Sequence, residues 1–257
     1  MDHWPLHARN WARVGPPLRP CAEDVALVAE QIHGRVDALI FGVTRELVEM
    51  PLPPGTTVTC VDRDRSMVDA LFTPRADRRA VVGDWLGMPL PAASMDLAIG
   101  DGAASLLGYP SDYATFAAEL ARVVRPGGRV VLRLFAMTVP ETLETVRAAL
   151  GTIGSFDALK WRIAMAIQSP ARSVAVAVIR EAFDRIVPDR AVLAARTGWR
   201  REVIDHIDIY RDSPARYSFP TVDEVSAAFA PHLVEISRRF PAYELGERCP
   251  TVAWRVA

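Results

Sequence analysis

The chain has 257 residues, half of them hydrophobic, with a formal net charge of -1 and a sequence pI near 6.5. That is enough apolar material for a large core carrying an inserted unit, and no block of like charge is available to grip a nucleic-acid backbone or an acidic membrane surface. Its three cysteines, Cys21, Cys60 and Cys249, form no CxxC pair and stand at no zinc spacing with a histidine, so a reduced, cytoplasmic setting and no bound metal are expected.

The opening MDHWPLHARNW has polar and charged residues where a signal peptide needs an apolar core, and no later stretch reaches membrane-spanning length. Trp4 and Trp11 are expected to staple this arm to the domain. Pro16, Pro17 and Pro20 delay the first helix to residues 23–32, where Val25, Val28, Ala29 and Ile32 recur at helical spacing behind an acidic start. Residues 36–41 then read as a short apolar strand closed by Gly42. Leu47, Val48 and Met50 supply a short helix, and Pro51, Pro53, Pro54 and Gly55 stop it. Residues 57–61 form a β-branched strand closed by Asp62. An acid ending the second strand, twenty positions after the glycine that ends the first, is the spacing at which doubly wound folds hold a ribose.

A helix at 66–72 follows, then a third strand at 80–82 ending in Gly83-Asp84-Trp85 and a fourth at 95–99 ending in Gly100-Asp101-Gly102. An amphipathic helix at 113–124 is stopped by RPGG, and a fifth strand runs over 129–135. The alternation predicts an α/β, Rossmann-like, doubly wound sheet with Gly42, Asp62, Asp84 and Asp101 gathered where the strands end.

Between 137 and 219 the pattern turns helical, with segments at 140–153, 156–167, 170–186, 188–195 and 199–210. SVAVAVI at 173–179 alternates as a strand would, but its flanks and the downstream Phe183 and Ile186 fit a buried helix, with Ser169 as cap ahead of Pro170. No strand is expected in this region. The chain returns to sheet through a helix at 221–229, opened by a Thr221-x-x-Glu224 capping box, and strands at 233–238 and 251–256. The link between those strands is too short for a crossover helix, so they should pair antiparallel. The expected organisation is a core of residues 1–136 and 219–257, including an N-terminal helical arm, with residues 137–218 as a helical insertion that caps it.

This order resembles the class I S-adenosylmethionine (SAM)-dependent methyltransferases, whose seven-stranded sheet has a reversed last strand. The matching residues are Gly42, Val61-Asp62 with the following RDRSMV, Gly83-Asp84-Trp85 followed by MPLP, MDLAIGDG, and RVVRPGGRVVL. The resemblance implies SAM as cofactor and S-adenosylhomocysteine (SAH) as product. It has Asp62, followed by Arg63, accepting both ribose hydroxyls. Asp84, after Gly83, would receive the adenine amino group, and the Trp85 backbone N–H would meet a ring nitrogen. Met67 would cover an adenine face or pack the core. The first loop departs from the pattern, reading Gly42-Val43-Thr44-Arg45-Glu46 with Thr44 and Glu46 where further glycines are usual. Under the same implication the Thr44 hydroxyl would meet the methionine carboxylate and Asp101 or Gly100 would take the ammonium group. Arg19 would pair with that carboxylate or with a surface acid.

Methyl transfer from a sulfonium needs alignment and exclusion of water, and a base only where a proton must leave. His206 and Tyr210, four apart on one face of a predicted helix, are candidates for acceptor contact or proton removal, with Tyr109 as another. Tyr217 and Phe219 are expected to close the pocket. The function read from the sequence is a SAM-dependent methyltransferase acting by in-line displacement on a small organic acceptor through O or N. The fourth-strand tip lacks the Asn/Asp-Pro-Pro-aromatic signature of nucleic-acid amine methyltransferases. The alternatives are a non-catalytic SAM- or SAH-binding regulator, favoured by the altered loop, and a nicotinamide-dependent reductase, which needs a glycine fingerprint that Gly42 alone does not supply. Expected partners are a small-molecule substrate, no nucleic acid and no membrane, with a homodimer left open.

Overall fold

The computed structural model describes residues 10–257, so the expectation for Trp4 lies outside the described residues. The strands are β1 (Asp37–Phe41), β2 (Thr57–Asp62), β3 (Arg78–Val82), β4 (Met95–Asp101), β5 (Val124–Arg133), β6 (Ser173–Ala175), β7 (Arg216–Ser218), β8 (Leu233–Arg239) and β9 (Thr251–Val256). Seven of them form one sheet in the order β3-β2-β1-β4-β5-β9-β8. The first five run parallel, whereas β9 is antiparallel to both β5 and β8. The predicted Rossmann-like, doubly wound sheet with an antiparallel finish is therefore the fold observed. The fifth strand begins earlier than expected: RPGG forms an irregularity inside β5, where the register jumps from Met95 opposite Val124 to Leu97 opposite Arg129.

Strand pleating sends alternate residues to opposite faces. Leu39, Phe41 and Val61 enter one core layer, and Ala38, Ile40, Val58 and Cys60 enter the other. The first layer is covered by α4 (Ser111–Val123), through Phe116 and Leu120, and by α10 (Val222–Phe229), through Val225 and Phe229. The second is covered by α1 (Ala22–Ala29), α2 (Arg45–Val48) and α3 (Arg65–Leu71), through Val28, Leu47, Val48 and Met67. The capping box opening α10 forms as the sequence predicts, with Thr221 and Glu224 bonding reciprocally.

Residues between the fifth strand and α10 build their own apolar cluster from α5 (Leu143–Ala148), α6 (Phe156–Ile167), α7 (Val176–Ile186), α8 (Arg190–Thr197) and α9 (Arg201–Ile204). Three expectations fail there, the first being that the region holds no strand, since β6 and β7 both lie in it. Residues 170–186 are not one helix, since Arg172 turns the chain with φ 57° and β6 follows before α7 begins at Val176. β6 is held by β7, forty residues on, with Val174 opposite Tyr217. Residues 199–210 are likewise not one α-helix, because Asp205–Tyr210 is a 3-10 helix. At about three residues per turn, positions four apart no longer share a face, so the premise that joined His206 to Tyr210 does not hold.

Candidate active site

A cavity opens at the carboxyl ends of β1, β2 and β4, where doubly wound sheets place their ligands. It is lined on the sheet side by Phe41, Gly42, Val43, Thr44, Asp62, Arg63, Asp64, Met67, Leu71, Trp85, Asp101, Gly102, Ala103, Ser105 and Leu106. Phe135 at the end of β5, Trp161 on α6, Tyr217 on β7, and Trp11 and Leu18 of the arm complete it.

Gly42 ends β1 with φ 77°, a turn that L side chains rarely adopt, and its hydrogen side stands close to the Asp62 carboxylate. Asp62 is 7% exposed. One of its oxygens accepts the Asp64 N–H at 2.9 Å. Burial raises its carboxyl above the ordinary value, opposed by the backbone N–H groups of Asp64 and Val43. A buried carboxylate aimed at a cavity, with no ion pair among the described residues, is a site waiting for hydroxyl donors. Thr44 begins α2 without using its side chain as a cap, so its hydroxyl is left to the cavity it lines. Arg63 lies over the Trp85 ring at 5.5 Å, and the Trp85 indole N–H is committed to the Val61 carbonyl at 2.7 Å. With Met67 and Leu71 they form an apolar slot beside Asp62.

Asp101 is engaged by a residue the sequence reading missed. Arg133, 1% exposed, donates through Nε to Asp101 at 2.5 Å. Through Nη1 it donates to the Pro17 carbonyl at 2.9 Å and the Tyr243 hydroxyl at 3.0 Å. Burial raises the Asp101 carboxyl, and Arg133 opposes that shift. Arg133 Nη2 and Glu46 Oε2 are both buried without a hydrogen-bond partner, which leaves one donor and one acceptor spare near the first loop.

Other expected residues lie off the cavity. Arg19 donates to Glu46 at 2.5 Å. Asp84 is exposed and accepts the Leu86 N–H at 3.0 Å. Gly83 is kept small by Pro89, whose Cδ would lie 2.6 Å from an added Cβ. Gly100 is wedged between Leu132 and Phe41. Tyr109 packs edge-on to Tyr113. His206 and Tyr210 are buried in the insertion, and Tyr210 reaches the cavity only through its hydrogen bond to Tyr217. Trp11 both ties the arm, donating to Glu46 at 3.4 Å, and lines the cavity. Phe135, Trp161 and Leu106 carry no motif; their only sequence signal is apolar character at the end of a strand, in a helix and in a loop.

Residues 41–132 match the family model described as a methyltransferase domain. No curated protein matches the sequence. Among solved structures, a Rhodobacter sphaeroides protein named as a Zn-dependent alcohol dehydrogenase superposes with a TM-score of 0.68 at 16% identity, covering 99% of this chain and 97% of its own. The CcbJ methyltransferase from Streptomyces caelestis gives 0.58 at 13% identity, covering 98% and 96%. A Burkholderia thailandensis 1,6-didemethyltoxoflavin-N1-methyltransferase, solved with 1,6-didemethyltoxoflavin and SAH bound, gives 0.51 at 14% identity, covering 91% and 76%. At these identities the likenesses show the fold. Among the described residues no group of three His, Cys, Asp or Glu side chains is placed to hold a metal ion, and no helix is long and apolar enough to cross a membrane.

Proposed function

We propose that this chain, whose residues 41–132 are a methyltransferase domain of the class I SAM-dependent kind, transfers a methyl group from SAM to a small organic acceptor. The observation that carries the reading is Asp62, a buried carboxylate without an ion pair among the described residues, ending β2 and facing the cavity. Asp62 would hold the ribose hydroxyls, and Arg63, Met67, Leu71 and Trp85 would enclose the adenine. Thr44 and Asp101, which line the cavity at the ends of β1 and β4, would meet the methionine end. Arg19, Gly83, Asp84 and Gly100 then act from behind this wall, by shaping the loops.

When bound, SAM supplies a methyl carbon on a sulfonium; the acceptor's lone pair bonds to that carbon, the carbon–sulfur bond breaks, and its electrons stay on sulfur to give SAH. The protein's part is to align the acceptor and keep water out, and its apolar arm and insertion walls do both. Burial pushes the Tyr210 phenol upward, so it stays protonated and is not a base. His206 and Tyr109 do not line the cavity, so neither is placed to take an acceptor proton. Residues 137–218 serve as the cap. The low net charge and the small heterocycle bound by the Burkholderia protein of similar fold support a small molecule over a nucleic acid. Two buried, separate thiols, Cys60 and Cys249, suit a reducing cytoplasm.

The test is methyl-labelled SAM with a panel of small phenols, amines and heterocycles, and with RNA and DNA. Label in a small molecule with matching SAH release is the expected result. SAH binding without transfer to any member favours the non-catalytic reading, to which the Glu46 substitution in the first loop lends support.

A further inference from the structure

Resting on that reading, the buried charges beneath the methionine end join cofactor binding to the N-terminal arm. Arg133 closes β5 with its side chain 1% exposed, and its bonds lead to different parts of the fold. Nε holds one oxygen of Asp101, at the tip of β4, at 2.5 Å. Nη1 donates to the Pro17 carbonyl of the arm at 2.9 Å and to the Tyr243 hydroxyl at 3.0 Å. Tyr243 in turn donates to Asp24 of α1 at 2.9 Å, and the second Asp24 oxygen stands 3.7 Å from Nη1.

Two carboxylates thus face one guanidinium. Asp24 has both oxygens engaged, by Tyr243 and by the Cys21 N–H. Asp101 lines the cavity, and its second oxygen has no hydrogen-bond donor among the described residues. Burial disfavours the charge on Asp101, so an ammonium group arriving from the cavity is the partner that completes it.

The Pro17 carbonyl belongs to a stretch that is also cavity wall, since Leu18 follows it, Trp11 precedes it, and both line the cavity. The neighbouring Pro16 carbonyl accepts from Ser155 Oγ of the insertion at 3.1 Å. Lifting the arm would strip a buried guanidinium of an acceptor and admit water to its contact with Asp101. Both changes loosen the direction in which Asp101 is held. A ligand that needs Asp101 aligned therefore favours the closed arm, and by linkage the closed arm favours that ligand.

We propose that Arg133 is a positioning residue that couples an ammonium site at Asp101 to closure of the N-terminal arm. The arm then shuts on a ligand carrying the amino-acid end of the cofactor and not on a bare nucleoside. Arg133 does not line the cavity, and it acts only through Asp101 and Pro17.

The experiment is limited tryptic cleavage after Arg13, an exposed residue of the arm, in full-length wild type, Arg133→Lys and Asp101→Asn. Each protein is digested alone, with saturating SAH, and with saturating 5′-methylthioadenosine, which keeps the adenine and ribose but lacks the amino-acid chain. Calorimetry supplies both affinities. SAH should slow cleavage of wild type at least fivefold, and methylthioadenosine less than twofold. Arg133→Lys keeps the charge and loses the fork. It should bind SAH about tenfold more weakly, bind methylthioadenosine within a factor of two of wild type, and lose the difference in protection. Asp101→Asn should speed cleavage of the ligand-free protein severalfold, although Asp101 makes no hydrogen bond to the arm. A purely structural arginine would instead lower Tm and weaken both ligands alike. Equal protection by the two ligands in wild type, equal changes in both affinities for Arg133→Lys, or an unaltered ligand-free rate in Asp101→Asn overturns the proposal. Should Arg133→Lys fail to fold, the wild-type and Asp101→Asn rates decide. If wild type binds no SAH, the methyltransferase reading falls, while the ligand-free rate of Asp101→Asn still upholds or removes the tie between Asp101 and the arm.

Discussion

Arg19 Nε donates to Glu46 Oε1 at 2.5 Å, so an acid of the first loop holds the N-terminal arm across it. Trp11 adds a second bond to the same oxygen. The arm is also gripped from the insertion side, where Asp157 accepts the Gly15 N–H at 2.6 Å. Glu46→Ala should loosen the arm without unfolding the domain. Both partners are partly exposed, and such pairs contribute up to about 1 kcal/mol. Tryptic cleavage after Arg13 should accelerate several-fold while Tm falls by no more than about 2–4 °C, and SAH should protect the wild type at this site. Equal cleavage rates would show that Glu46 is not the latch.

Asp62 gives a pH signature of defined sign. Its folded-state carboxyl is raised by burial, so its contribution to stability is complete below the ordinary carboxylate value and lost as pH climbs through the raised one. Asp62→Asn should therefore stabilise the ligand-free protein at neutral pH, with about 2–4 °C in Tm for each kcal/mol gained. SAH binding runs the other way, since the ribose needs the ionised form, and wild-type affinity should fall as pH drops through the raised value. Thermal melts and SAH titrations from pH 4 to 8 check both trends.

Cys60 and Cys249 are buried, and burial pushes each thiol up to about 12. Few thiolates are then available near neutrality. Iodoacetamide on the native protein at pH 7.5 should label Cys21, which is partly exposed, and leave the other two until denaturant is added. Peptide mass spectrometry reads the result directly.

Gly102 turns the chain at φ 62°, and an added Cβ would sit 2.4 Å from Phe135 Cε2. Gly127 has a similar φ of 78° with nothing within 4 Å. Gly127→Ala should lose only the backbone term, about 1 kcal/mol. Gly102→Ala adds overpacking of about 1–3 kcal/mol, so its Tm should fall further, and Phe135 should be displaced from the acceptor wall. Matching losses would mean that the Phe135 contact is soft.

Much of the sheet was legible because each strand announces itself locally. Val58 to Asp62 is a β-branched run with an acid at its end, and the structure puts that acid on the cavity. The β6–β7 ladder was not legible, since the strand-like alternation from Ser173 was outweighed by its helical flanks, its partner lies 43 positions away at Tyr217, and Arg216 to Ser218 has no signal of its own. Missing it hid what positions Tyr217. Arg133 was hidden for a similar reason: a lone arginine in an apolar strand shows its role only once Asp101, Pro17 and Tyr243 close around it. His206 and Tyr210 looked paired only on the assumption of an α-helix that gives way to a 3-10 turn at Asp205.

The central claim is that Asp62 holds the ribose of SAM in this cavity. It is tested most directly by calorimetric titration of SAH into wild type and Asp62→Ala, after any copurified ligand is stripped. The account predicts saturable binding by wild type and a loss of about a hundredfold or more in the variant, as expected for two hydrogen bonds to a charged acceptor. Equal affinities, or no binding by either protein, would contradict it.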